Sequence, residues 1–254
     1  FVFGRKKTCK LLKSKKLIYE SSSGERNNIE CNNLLELPNK NFIVIVTCKS
    51  YDIDSFIEVF KKKENLKRII CVQNGIGHIE KLTKEFGKEI LVFGNISNLS
   101  ISRKCNTFKH NSGKGLLNLD IRFKKDRYIN YLVKQCKISI KFYNFKTLIW
   151  KKLVRLNTIS LLTSYGFKNL GQIFKSKKLT NDMKQLLFET LEIAKSDGYK
   201  YGNFNKEWNF INELPKKFRS SMSLDFKYKK KTELEDITGK ILEIARKKGK
   251  ELTL

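Results

Sequence analysis

Four short stretches of this sequence combine residue types that could move a proton or hold a charged ligand. In "IWKKL", Lys152 sits inside an otherwise apolar helical pattern. Burial disfavours an ammonium, so a lysine placed there loses proton affinity and becomes a competent acid near neutral pH. The plainer account is a side chain that snorkels to the surface. In "CVQNGIGHIEKL" an apolar run stops on Gln73, Asn74 and Gly75. The two amides can donate and accept hydrogen bonds, and the glycine lets backbone approach a ligand closely; an ordinary strand-to-helix turn has the same composition. Glu233, in "KKKTELED", offers a carboxylate or a helix cap. "RSSMSLD", residues 219 to 225, offers an arginine and paired hydroxyls suited to a carboxylate, although serine pairs are common in loops.

Metal chemistry finds little to work with. The six cysteines stand at 9, 31, 48, 71, 105 and 136 with no CxxC pair, and the two histidines, His78 and His110, have no ligand neighbour at zinc spacing. No metal is expected, and the cysteines read as small core residues of a reducing compartment. A net charge of +28, from 53 Lys and Arg against 25 Asp and Glu, raises the question of nucleic acid. The lysines are spread along the chain among abundant Asn, Ile and Phe, a mixture that suggests A+T-rich codon usage. No nucleic-acid partner is expected. No apolar run reaches the roughly 18 to 20 residues that span a bilayer, and "FVFGRKKTCK" lacks the shape of a secretory signal, so no membrane partner and a cytoplasmic location are expected.

The elements that must position these residues change character near residue 145. Before it, "FIVIVTC", "RIICV" and "EILVFG" alternate with amphipathic stretches, the pattern of parallel strands covered on both faces with helical crossovers. Such sheets bind ligands beyond the carboxyl ends of their strands, where Lys49 and Gln73 to Gly75 fall. "NLSISRK", "NTFKHNSGKG" and "LLNLDIRF" read as antiparallel additions at the sheet edge, "DRYINYLVKQC" as a helix and "ISIKFY" as a last strand. "TLIWKKLVRLNTISLLTSY" predicts a central buried helix. "TNDMKQLLFETLEIAKSDG", with a Thr or Asn cap, and "KKTELEDITGKILEIARKKGKEL", from Thr232 to Gly249, predict two more. The expected division is 1–145, α/β, and 146–254, all-α.

"VTCKSYD", "VQNGIGHIEKL", "IWKKL" with "LLTS", "KNLGQIF" and "RSSMSLDFKYKKKTELEDITGKILEIARKKG" together, in this order, resemble the ketopantoate reductase (2-dehydropantoate 2-reductase) family along essentially the whole chain. The resemblance implies a Rossmann-like NADPH-binding domain, a helical substrate domain, and reduction of ketopantoate to pantoate on the route to coenzyme A. It implies that Lys152 is the catalytic proton donor. Asn74 would lie beside cofactor and substrate, Ser221 would bind the substrate carboxylate, and Glu233 would contact both ligands. Lys49 would border the cofactor, and Arg5, with Lys6 helping, would meet the adenosine 2′-phosphate. The partner implied is a small 2-oxo acid, with a homodimer as an open option.

The sequence departs from the family at several points. Where the family helix carries asparagines four and eight residues after the lysine, this chain has Leu156 and Ser160, with Asn157 out of register by one. Ser160 retains the capacity to bind substrate and Leu156 does not. Glu235 and Thr238 replace the Asp and Asn of the pattern that follows Glu233. No GxGxxG turn occurs, and Phe1 to Phe3 match the second strand of the dinucleotide-binding unit; the expectation is an α/β domain lacking its first strand and helix, roughly 25 to 30 residues. Two alternatives stay open: a truncated or degenerate relative that keeps the fold without catalysis, and a reductase of the same family acting on another 2-oxo acid.

Overall fold

A computed structural model describes residues 17–29, 37, 39–135 and 138–250. Among these, a hairpin of β1 (Leu17–Glu20) and β2 (Arg26–Ile29) comes first. An alternating run follows: β3 (Phe42–Val46), α1 (Ile53–Phe60), β4 (Leu66–Cys71), α2 (Gly77–Phe86) and β5 (Leu91–Ser97). Then come β6 (Ser100–Lys104), β7 (Thr107–Ser112), β8 (Leu116–Asp120), α3 (Arg127–Gln135) and β9 (Ser139–Tyr143).

Among the described residues the main sheet has five strands in the order β3-β4-β5-β8-β9. β3, β4 and β5 are parallel, β8 runs antiparallel to β5, and β9 is parallel to β8. Successive residues of a strand point to opposite faces, so a run with no polar alternation requires cover on both. Ile69 and Ile70 show this. Ile69 packs with Ile53 of α1 and Leu82 of α2, and Ile70 packs with Phe123 and with Ile129 of α3. The expected parallel core and the antiparallel β8 are both present.

β6 and β7 depart from expectation. They do not extend the main sheet but join β1 and β2 in a second, four-stranded sheet, β2-β1-β7-β6, in which β1 pairs in parallel with β7. The physical reason is composition: "SISRK" and "TFKHNS" alternate polar residues and leave most of them in water, which a sheet covered on both faces cannot accommodate.

From Phe145 the chain is helical: α4 (Phe145–Ser164), α5 (Leu170–Phe174), α6 (Lys177–Ser196), α7 (Phe204–Glu213), α8 (Ser221–Lys227), a wide π turn over Glu235–Gly239, and α9 (Lys240–Lys247). Asn144 caps α4 by accepting from the Thr147 N–H at 2.9 Å. The helix then buries Trp150, Leu153, Val154, Asn157, Ser160 and Thr163, side chains that point in most directions around its axis. It packs against α6 and α8 and also touches β5 and β8, so the helical half rests on the sheet through α4. α6 begins earlier than the sequence suggested, capped by Ser176 rather than by Thr180 or Asn181, because the Ser176 hydroxyl accepts from the Leu179 N–H. The C-terminal helix starts at Leu234, and Gly249, at φ +62, ends it as expected. No helix among the described residues is long and apolar enough to cross a membrane.

Candidate active site

The ends of β3 and β4, α4 and the π turn converge on one cleft. β3 runs out into Cys48, Lys49 and Ser50. Lys49 Nζ donates to Glu233 Oε2 at 2.7 Å and to Asp225 Oδ2 at 3.3 Å. Burial works against the charged form of Lys49, but the hydrogen bond and charge of Glu233, with the charge of Asp225, outweigh it and hold its pKa above the ordinary lysine value. The Ser50 N–H faces Glu233 Oε1 at 3.5 Å, and its hydroxyl donates to Asp236 Oδ2 at 2.6 Å.

β4 ends on Gln73, Asn74 and Gly75. Gly75 adopts φ +74, and a Cβ there would lie 2.6 Å from the Asp236 carbonyl oxygen. The same carbonyl accepts from the Ile76 N–H at 2.9 Å, and the Asp236 carboxylate fills the space where a Gly77 side chain would be. The two glycines therefore let the π turn sit directly on the strand-end loop. Gln73 and His78, both buried, line the pocket beside it. Gln73 Oε1 and His78 Nδ1 have no partner, and burial pushes the His78 pKa down to about 4 against the opposing charge of Asp236.

α4 carries Lys152 past these loops. Its Nζ donates to Asn74 Oδ1 at 2.8 Å and to the Ile96 carbonyl at 3.1 Å, leaving one of three N–H bonds uncommitted. Burial of the ammonium pulls its pKa down to about 8, with the Glu233 carboxylate pulling the other way. A lysine so tuned exists largely as an acid at neutral pH and gives up its proton with less penalty than an exposed one. The pocket around it is completed by Phe93, Gly94, Asn95, Ile149, Leu153 and Leu156.

Of the residues singled out from sequence, the structure thus joins Lys152 to Asn74 and Lys49 to Glu233, the second pair acting on the first through charge. Ser160 is buried two helical turns beyond Lys152 on the same face of α4, and its Oγ has no partner. Ser221 is exposed at the first position of α8, while Ser220 serves as the cap, accepting from the Ser223 N–H at 3.0 Å and pairing with Thr163 Oγ1 at 2.9 Å. Among the described residues no hydrogen bond ties Ser160 or Ser221 to Lys152, Asn74 or Glu233. Arg5 and Lys6 lie outside the described residues. Asn157 points away from the cleft into the helical core, where its Oδ1 accepts from Thr238 Oγ1 at 2.8 Å and its Nδ2 donates to Thr190 Oγ1 at 3.1 Å.

Sequence reasoning passed over Ser50, Asp225 and Asp236. Asp225 stood in the quoted "RSSMSLD", and its spacing of eight from Glu233 was the available signal. Asp236 gave none, since an acidic residue early in a helix is ordinary.

The cleft suits the nicotinamide end of a dinucleotide. A carboxamide both donates and accepts, and two buried polar atoms without a partner, Gln73 Oε1 after β4 and His78 Nδ1 on α2, lie beside the strand end where such cofactors bind, Nδ1 accepting or donating according to the imidazole tautomer. No GxGxxG stretch is present in the sequence, so the residues in hand address that end and not the pyrophosphate.

Comparison with known proteins points the same way. The chain matches the family profile described as Ketopantoate reductase PanE/ApbA over residues 1–121, and its C-terminal counterpart over residues 144–254. No curated protein sequence matches it. Among solved structures it is similar to a dimeric ketopantoate reductase from Staphylococcus aureus (20% identity, TM-score 0.80, covering 94% of this chain and 82% of that one). It is also similar to a probable 2-dehydropantoate 2-reductase from Bacillus subtilis (21% identity, TM-score 0.76, 98% and 85% covered). A third similar structure is D-mandelate dehydrogenase with NADH and anilino(oxo)acetate (17% identity, TM-score 0.84, 98% and 84% covered). At these identities the solved structures speak for the fold, and the two profiles, which between them leave only residues 122–143 unmatched, speak for the family. The chain belongs to the ketopantoate reductase family of oxidoreductases.

Proposed function

We propose that this protein reduces a 2-oxo acid to the 2-hydroxy acid with NADPH, and that Lys152 is the proton donor. The observation that carries the reading is the uncommitted N–H of Lys152, aimed from a site that lowers its pKa to about 8 and steadied by Asn74 Oδ1 and the Ile96 carbonyl. When bound, the dihydronicotinamide supplies a hydride to the carbonyl carbon. Lys152 polarises the ketone oxygen and gives it a proton as negative charge develops there, then recovers a proton from solvent. Asn74 holds the ammonium in place. Glu233 keeps Lys152 charged at neutral pH and, with Lys49, borders the ligands. Ser160 and Ser221 are assigned to the substrate, and Arg5 to the 2′-phosphate of NADPH.

In this reading residues 1–145 form the dinucleotide domain and residues 146–254 the substrate domain. A homodimer working in the cytoplasm on the pantothenate route is the expected setting. Ketopantoate, the substrate after which the family is named, is the first acid to test. A specific observation favours a second reading within the same chemistry: Leu156, one turn past Lys152, presents no polar atom to the pocket, which suits a different 2-oxo acid.

The test is NADPH oxidation by the purified chain across a panel of 2-oxo acids, with Lys152→Ala alongside. The expected result is oxidation that depends on the acid and falls by at least about 100-fold in the variant, the scale of a lost general acid. An unchanged rate in Lys152→Ala overturns the assignment.

A further inference from the structure

Lys152 and Leu156 lie one turn apart on the same face of α4, and both line the pocket. A ketone hydrogen-bonded to Lys152 therefore has its substituent beside Leu156. The other α4 side chains lining this pocket, Leu148, Ile149 and Leu153, are apolar as well. Its polar side chains other than Lys152 come from the sheet side, Gln73 and Asn74 from the end of β4, His78 from α2 and Asn95 from β5, and several of their hydrogen-bonding atoms are engaged. Asn74 Oδ1 accepts from Lys152, Asn95 Nδ2 donates to the Leu148 carbonyl at 2.9 Å, and Asn95 Oδ1 accepts from Asn118 at 2.9 Å. Gln73 Oε1, His78 Nδ1 and Asn74 Nδ2 remain, all on the loop and helix that follow β4, where the proposed function places the dinucleotide, and none on α4 beside Leu156.

We infer that the 2-oxo acid reduced by this chain carries an apolar, unhydroxylated side chain where it meets Leu156. This rests on the proposed function and narrows it. A hydroxyl brought against Leu156 gives up its hydrogen bonds to water and gains none, so a hydroxylated substrate is bound less well in ground state and transition state alike. An apolar wall rejects an added hydroxyl only moderately, which sets the scale at about 10- to 100-fold.

Trimethylpyruvate is ketopantoate without its hydroxyl, so the pair isolates this one group. With the native chain and NADPH, run in parallel with NADH, kcat/KM for trimethylpyruvate is expected to exceed that for ketopantoate by about 10- to 100-fold. In Leu156→Asn, which restores a donor and an acceptor, the ratio is expected to fall toward one. Calorimetric titration of both acids into the dinucleotide-loaded protein reads the same preference without turnover. Equal use of the two acids, or a preference for ketopantoate, overturns the inference and leaves the proposed function standing. A preference that persists unchanged in a folded Leu156→Asn overturns the role of Leu156. Absence of dinucleotide oxidation with these and all other 2-oxo acids overturns the proposed function, and this inference with it.

Discussion

Lys49 Nζ lies 2.7 Å from Glu233 Oε2, an ion pair that ties the end of β3 to the start of the C-terminal helical segment across 184 residues. Glu233 is 4% exposed, so its charge acts through a poorly screened medium and reaches Lys152 as well. Glu233→Gln removes the partner that keeps both lysines charged. The Lys152 pKa is expected to drop below about 8, moving the alkaline limb of the pH–rate profile to lower pH. Stability is expected to fall by about 1–2 kcal/mol, less than for a fully buried pair because Lys49 is half-exposed. Denaturant unfolding and a pH series on the same variant check both; an unmoved limb refutes the coupling.

The acid form of Lys152 is the working form, and it is lost as pH rises through about 8. kcat/KM for a 2-oxo acid is therefore expected to be level below that pH and to fall roughly tenfold per unit above it. Asn74→Leu removes an acceptor that favours the ammonium, so its limb is expected at lower pH with a reduced plateau. A profile that stays flat beyond pH 9 assigns the proton to another group.

Burial of Lys152 also has a thermodynamic signature. Its pKa falls from 10.5 to about 8 on folding, so between those values the unfolded chain binds the extra proton and stability rises with pH. Below about 8 the full cost of burying the charge is present. Lys152→Met is expected to compare most favourably with the native chain near pH 7. That advantage is expected to shrink by on the order of 3 kcal/mol as pH rises beyond 10.5. Paired denaturation curves at several pH values measure this; a difference independent of pH contradicts it.

Gly75 and Gly77 face the same residue in different ways. At Gly77 the obstacle is the Asp236 carboxylate, a side chain, whereas at Gly75 it is the Asp236 backbone, with φ at +74. Gly77→Ala is expected to cost about 1–3 kcal/mol, and Asp236→Ala in the same chain is expected to recover part of it. Gly75→Ala is expected to cost more and to gain nothing from Asp236→Ala. Equal recovery at both positions refutes this placement of the π turn.

Much of this was legible because local composition decided it. "RIICV" has no polar face and is covered on both sides as that pattern requires, whereas "FIVIV", equally apolar, forms β3, the edge strand among the described residues, and leaves Ile45 exposed; α4 is apolar around most of its circumference. That Lys152 and Asn74 share one cleft was implied by the family resemblance; the residues alone left a snorkelling lysine and an ordinary strand-to-helix turn open. What could not be read depends on partners distant in sequence. β7 pairs with β1 rather than with the main sheet, which nothing in "TFKHNS" specifies. Asp236 belongs to the site only because a π turn lowers it onto Gly75 and Gly77, and local sequence does not distinguish that turn from a regular helix. Asn157 was legible as out of register, but its bonds to Thr238 and Thr190 required knowing which helices meet.

The docking of the π turn on the Gly75 loop also bears on the order of events during synthesis. Asn74 and Lys49 leave the ribosome early, while Glu233 and Asp236, which fix the loops that carry them, leave about 160 to 190 residues later. At translation speeds of roughly 5–20 residues per second that interval is on the order of 10 to 40 seconds. During it the sheet can form while its ligand-binding end stays uncovered, and the cleft becomes competent only when the final helices settle. The site is therefore assembled from two parts of the chain that are made well apart in time.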